Sequence, residues 1–363
     1  MLISQNPTNM SERLSVSRTD SPNLDFVRAN AVLMVVVFHL LGFFGIKQTG
    51  PFDLEAMGHL GVLIFFVHTC LVLMFSLERQ LERFGWRRFF RVFMVRRCFR
   101  IYPLSLLTVA VIAIFKLPLA GHPWSMHWSP MSGRDILSNL LLIQNVTGST
   151  SIPAPLWSLP LEMQMYLLLP GFFLLARKLK SALTLAGICA LVTAALSVWM
   201  HFGHGYHLQY LPCFLPGILA YKLSLRQGLG WAFPGLAVLL LVSLTVFMML
   251  GTAQAGWIVC FTLGAAIPQF ADMSSRWLGR VSHRIARYSY GIYLTHYFCL
   301  WLAFVRLQFL PKAVQGFVFA AAVWLIPVVL YHFLELPLIN VGRRLAEEGL
   351  MGSPAEAVAS RAA

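Results

Sequence analysis

Apolar runs of spanning length recur along this chain, beginning near residues 26, 58, 101, 156, 182, 207, 231, 256, 288 and 313. As a helix of roughly 20 residues, each matches the hydrocarbon core of a bilayer. Inside that core every backbone N–H and C=O must be satisfied by the protein itself, which leaves only helices or a closed barrel. The runs are continuous rather than alternating, so the barrel is excluded. The expected fold is all-α, a polytopic integral membrane protein of about ten transmembrane helices. Only 12% of residues are charged while 58% are hydrophobic, a balance that no soluble core of this size could hide.

The net charge of +14 sits in short segments between the apolar runs. That is the positive-inside pattern, so the charge reports topology, and no nucleic-acid partner is expected. Residues 79–100 hold eight arginines interleaved with Phe84, Trp86, Phe89, Phe90, Phe93 and Met94. This mix predicts a basic amphipathic helix in the headgroup plane, ending before Pro103. The basic stretches at 176–181 and 276–287, with Arg343 and Arg344, fall on the same side when spans alternate. A bacterial-type inner (plasma) membrane protein with both termini cytoplasmic follows as the expectation. The stretch 136–146 is too short to span and reads as re-entrant or interfacial.

Three units are expected: a disordered cytoplasmic N-terminus at 1–24 with no signal peptide, a membrane domain at 25–342, and a cytoplasmic tail at 343–363. The six cysteines form no CxxC and read as small packing residues. "HFGHGYH" (His201, His204, His207) has a metal-like look, but its glycines break a helix, and no metal is expected.

The chemistry-bearing residues are the ionisable ones inside apolar runs, where charge is costly and usually functional. Arg28 and His39 lie eleven residues apart in "DFVRANAVLMVVVFHLLGF". At 100° per residue that is three turns plus about 20°, so the two share a face, separated by about 16 Å along the axis. One lumen could hold both, with an anion at the cytoplasmic edge and a reactive group at depth. Arg28 as a positive-inside anchor and His39 as an interhelical packing contact is the other reading. Arg97 and Arg100 in "RRCFRIYP" share a face if helical, and guanidinium forks suit phosphate oxygens. Glu162 enters an apolar run beside Trp157 and Tyr166, towards the outer side by span counting. A carboxylate there needs a partner or a task. His68 and His296 fall near mid-membrane and are candidates to line the same cavity; Glu335 in "FLELP" reads as structural.

"LDFVRANAVLMVVVFH", "GHLGVLIFFVHTCLVLMF", "RRCFRIYPL", "PLWSLPLEMQMYLLLP", "YSYGIYLTHYF" and "FLELPL" occur in that order over about residues 24 to 340. Together they resemble the integral-membrane acyltransferase-3 family, whose members move acyl groups, often acetyl, to envelope sugars, exopolysaccharides and some antibiotics. The resemblance implies that His39 is the essential histidine and Arg28 its partner. It likewise implies that Arg97 and Arg100 are the RxxR pair, and that Glu162 is the glutamate of "WSLxxE". The sequence departs from the family at Phe26, where glycine is common, and at Thr69 and Cys70, where Ser-Gly is common, with His68 just before them. The hydrolase-like domain fused to some members is not expected here.

Acyl transfer to a hydroxyl needs a base, and histidine, with an ordinary pKa near 6.5, suits that role. The expected co-substrate is acetyl-CoA or another acyl-CoA, its phosphates held by Arg28, Arg97 and Arg100 and its thioester near His39. His39 and Glu162 are the candidate catalytic residues. The expected acceptor is a glycan or lipid-linked saccharide, with membrane lipids as surroundings. The alternatives are acylation of a secreted small metabolite, or a transporter for a small anionic or glycosidic solute, although no internal repeat supports the latter.

Overall fold

The computed structural model describes residues 21–119, 130–202, 208–226 and 228–348. The described residues form a helical bundle, with one two-stranded hairpin among them pairing β1 (Gln48–Thr49) and β2 (Phe52–Asp53). Its long helices are α1 (Pro22–Phe43), α2 (Leu54–Phe84) and α3 (Phe89–Phe115). Two short ones, α4 (Gly133–Leu140) and α5 (Gln144–Thr147), precede a 3-10 turn at Ala154–Ser158. Then come α6 (Leu159–Lys178), α7 (Ala182–His201), α8 (Leu211–Ser224), α9 (Phe233–Leu250) and α10 (Ala253–Ala266). The last are α11 (Arg276–Leu300), α12 (Lys312–Leu330) and α13 (Leu336–Glu348), with π-turns at Trp301–Arg306 and Tyr331–Glu335.

A helix stands at each of the ten apolar runs. Among the described residues, seven helical stretches are long and apolar enough to cross a bilayer. The others fall short for distinct reasons. Helices α8 and α10 have 14 residues each, about 21 Å at 1.5 Å per residue, less than the roughly 30 Å core. Helix α11 has 25 residues but a basic first half.

Helix α2 is the hub, its apolar stretch far more buried than that of any other span. It packs against α1 and α8, and α1 in turn packs against α11. Close approach needs glycine: a Cβ on Gly61 would come within 2.6 Å of the Ala31 carbonyl, and one on Gly217 within 2.6 Å of the Val67 carbonyl. Small residues at helix interfaces let backbones approach, the main source of association where lipid is as apolar as the helix.

The basic segment departs from its prediction. It is not a separate interfacial helix ending before Pro103. Helix α2 carries its first arginines, the chain breaks at Gly85 with a positive φ of 69°, and α3 runs on through Pro103. Tertiary contacts support the turn around the proline. Tyr290 donates to the Ile101 carbonyl at 2.6 Å, Ser105 donates back to Ile101 and Tyr102, and Gly342 of α13 lies against Phe99. The 136–146 stretch does form short helices, α4 opening on a Ser132–Asp135 capping box.

Helical structure extends past residues 25 and 342 at both ends. Helix α1 already starts at Pro22, and buried Asn23 bonds the backbone of Ala271 and Met273. At the other end α13 continues to Glu348, with Glu347 bridging Arg96 at 2.7 Å and Arg83 at 3.3 Å.

Candidate active site

The start of α1 is anchored before it delivers any functional group. Ser21 donates to Asp272 at 2.8 Å, and Asp25 pairs with His283 of α11 at 2.7 Å. One turn further on, Arg28 Nε donates to Ser289 Oγ of α11 at 2.7 Å. Arg28 thereby faces a partly open cavity of about 100 Å³, lined also by His68, Arg97, Arg100, Glu162, Tyr166, Ser289, Tyr290 and Tyr293. Four sequence-predicted residues, Arg28, Arg97, Arg100 and Glu162, therefore meet in one place, from α1, α3 and α6.

The three-residue spacing on α3 turns Arg97 and Arg100 to this cavity, while Arg96 points to Glu347. Arg100 pairs with Glu335 at 2.8 Å and lies 5.6 Å from the Tyr290 ring centroid. Glu335 is 1% exposed, so its structural reading acquires a specific partner, a buried ion pair. Arg97 stacks over Phe93 at 6.0 Å, and its Nε is buried without a hydrogen-bond partner among the described residues. Glu162 accepts a hydrogen bond from Tyr166 one turn along α6. It joins the arginines instead of lying towards the outer side, because the 3-10 turn before α6 is tied to α11 in the interior. There Ser158 donates to the Tyr293 hydroxyl at 2.9 Å, and that hydroxyl donates to the Pro155 carbonyl at 2.8 Å. Two carboxylates against three guanidiniums leave the region cationic. With an unpartnered Arg97 Nε, it is suited to an anion with several oxygens.

His39 lies elsewhere. It lines a second, larger cavity of about 550 Å³ with Phe38, Glu55, His59, Thr150, Ser151, Trp157 and Tyr210. Arg28 and His39 line two adjoining cavities. Their two cavities have Val62 and Tyr293 as common wall residues. The eleven-residue spacing thus puts one residue in each of two cavities that meet at Val62 and Tyr293. The His39 ring contacts His296 of α11, with Nδ1 3.1 Å from His296 Nε2 and 2.8 Å from the Val35 carbonyl. His68 faces the Arg28 cavity, with Nδ1 buried and without a hydrogen-bond partner among the described residues.

Sequence reasoning missed Ser289, Tyr290, Tyr293 and Ser158. The signal was present in "YSYGIYLTHYF": Ser289, Tyr293 and His296 follow i, i+4, i+7 spacing, a polar stripe on an otherwise apolar helix. Of the histidines in "HFGHGYH", His204 and His207 lie outside the described residues, and His201 is exposed. No group of three metal-ligating side chains occurs among the described residues.

Residues 21–332 match the acyltransferase-3 family model, described as an acyltransferase domain. The chain belongs to the acyltransferase-3 family. It carries that family's acyltransferase domain on several helices long and apolar enough to cross a membrane. Peptidoglycan O-acetyltransferase OatA of Listeria monocytogenes is 26% identical over 90% of this chain. Acyltransferase MdmB of Streptomyces mycarofaciens is 28% identical over 76% of it. The alignments span 57% of OatA and 78% of MdmB, so the chain corresponds to little more than half of the former. No solved structure gives a significant match.

Proposed function

We propose that this acyltransferase moves an acyl group, acetyl by analogy with OatA, from cytoplasmic acyl-CoA to a hydroxyl of a cell-envelope or exported glycan. The observation that carries the reading is the pair of adjoining cavities. An arginine-lined one and a histidine-lined one share the Val62 and Tyr293 wall. The inner cavity is too small for a nucleotide. In this reading Arg28, Arg97 and Arg100 hold phosphate oxygens at its mouth, and Glu162 keeps the guanidiniums in place. The donor's thioester reaches past the shared wall to His39. His39 takes the proton of the acceptor hydroxyl as the oxygen bonds to the thioester carbon. The C–S bond then breaks, and the CoA thiolate leaves and is protonated from His39. The outer cavity, with Trp157, Tyr210 and the Glu55 carboxylate, has the aromatic faces and hydrogen-bonding groups that a sugar ring needs.

The enzyme then sits in a bacterial plasma membrane with both termini and the arginine cluster in the cytoplasm. The test is release of free CoA and transfer of radiolabelled acetyl from acetyl-CoA by purified protein. It is paired with a comparison of acetyl content in surface glycans with and without the gene. Absence of both CoA release and any glycan difference would overturn the proposal.

A further inference from the structure

His296 is fully buried on α11, and the reading above gives it no task. Its Nδ1 lies 2.7 Å from the Tyr293 carbonyl and 3.2 Å from the Ile292 carbonyl. Two carbonyl oxygens at one nitrogen require an N–H there, so a neutral His296 carries its lone pair on Nε2. That lone pair faces His39 Nδ1 at 3.1 Å. His39 Nδ1 also lies 2.8 Å from the Val35 carbonyl, which again requires an N–H. One proton on His39 Nδ1 thus serves two acceptors, and the His39 lone pair resides on Nε2.

We propose that His296 is the positioning residue of the transfer reaction, an acceptor that fixes the His39 tautomer and steadies the ring when it is protonated. The proposal rests on His39 being the base. When Nε2 takes the acceptor's proton, positive charge develops across the imidazole. The Nδ1–H···Nε2 bond then becomes charge-assisted, roughly twice as strong as a neutral one. A triad aspartate does this with a buried charge. Here a neutral ring does it, which spares the span a second ionised group. The rings are held by geometry: centroids 4.9 Å apart, with Tyr297 edge-on to both. The titratable groups that face the pair are Tyr293 and Tyr297 of α11, Glu55 and His59 of α2, and Tyr210 before α8.

The experiment uses purified full-length protein and measures initial transfer rates from acetyl-CoA over roughly pH 5 to 8. His296→Leu should lower kcat about ten- to a hundredfold, the loss expected for a hydrogen bond to a charged group, with the donor KM unchanged. The imidazolium of His39 would lose an acceptor, so the acid limb of the profile should move to lower pH. His296→Gln, whose amide oxygen can accept the same proton, should recover most of the rate and the original acid limb. Independently of any variant, 15N NMR of histidine-labelled wild type should show His39 as the Nδ1–H tautomer. Wild-type kcat and acid limb in His296→Leu, or an Nε2–H tautomer of His39, would overturn the proposal. Near-normal transfer by His39→Gln would instead remove the base assignment beneath it.

Discussion

The Arg100–Glu335 pair offers a test that separates holding the fold from holding the substrate. Glu335 is 1% exposed and Arg100 is 21% exposed, with nitrogen and oxygen 2.8 Å apart. Removing one partner of a buried pair strands the other charge, at a cost of about 3–5 kcal/mol. Replacing both by apolar side chains is often neutral, because desolvation and attraction are lost together. Arg100→Met alone should therefore lower the thermal midpoint in detergent markedly, since Glu335 Oε1 already lacks a partner among the described residues. Arg100→Met with Glu335→Leu should recover most of that midpoint. Donor affinity should behave differently. A lost charge-assisted hydrogen bond costs about 1.5–3 kcal/mol, roughly ten- to a hundredfold in affinity. The double variant should keep that loss, because no guanidinium returns to the cavity. Midpoints come from fluorescence-detected size exclusion after heating, and donor affinity from competition against labelled acetyl-CoA. A double variant with wild-type donor affinity would take Arg100 out of the phosphate site. A single variant as stable as wild type would refute the buried-pair argument.

Further outcomes are expected at other positions. His39→Ala should lose on the order of 10²–10⁴ in transfer rate while keeping donor affinity, since the arginines line the adjoining cavity. His39→Gln should be nearly as inactive, and normal transfer by it would leave His39 a packing residue. Ser132 donates to the Asp135 carboxylate through both its backbone N–H and its hydroxyl, holding that carboxyl below the usual carboxylate range. Its contribution to α4 should thus be complete above about pH 4 and fade as pH falls through the lowered value. Protection factors across 133–140, taken after correction for the intrinsic pH dependence of amide exchange, should fall on acidification in wild type but not in Asp135→Asn, and equal behaviour would refute the cap. A reporter fused after residue 92 should read cytoplasmic and one near residue 125 external; agreement between the two would remove the α3 crossing and the cytoplasmic-donor side with it.

Much of this protein was legible locally. Continuous apolar runs determine a helical membrane protein, because lipid cannot hydrogen-bond an exposed backbone. Helical periodicity put Arg97 and Arg100 on one face, and the same cavity receives both. Costly residues inside apolar runs marked Arg28, His39 and Glu162, because burying charge in a span needs a reason. What the sequence could not determine was which of these meet. Periodicity places two side chains on one face of α1 but says nothing of what fills the space between neighbouring helices. Val62 and Tyr293, from α2 and α11, stand where the cavities lined by Arg28 and by His39 meet. The same holds for Pro103, whose local effect is to end a helix, yet contacts from Tyr290 and α13 keep α3 continuous. The partners that define the site are remote in sequence: Ser289 for Arg28 at 261 residues, His296 for His39 at 257, and Glu335 for Arg100 at 235. Local propensity acts over a few residues, whereas these pairings are decided by packing, by how closely glycine-lined helices approach and by the high cost of leaving a buried polar group alone.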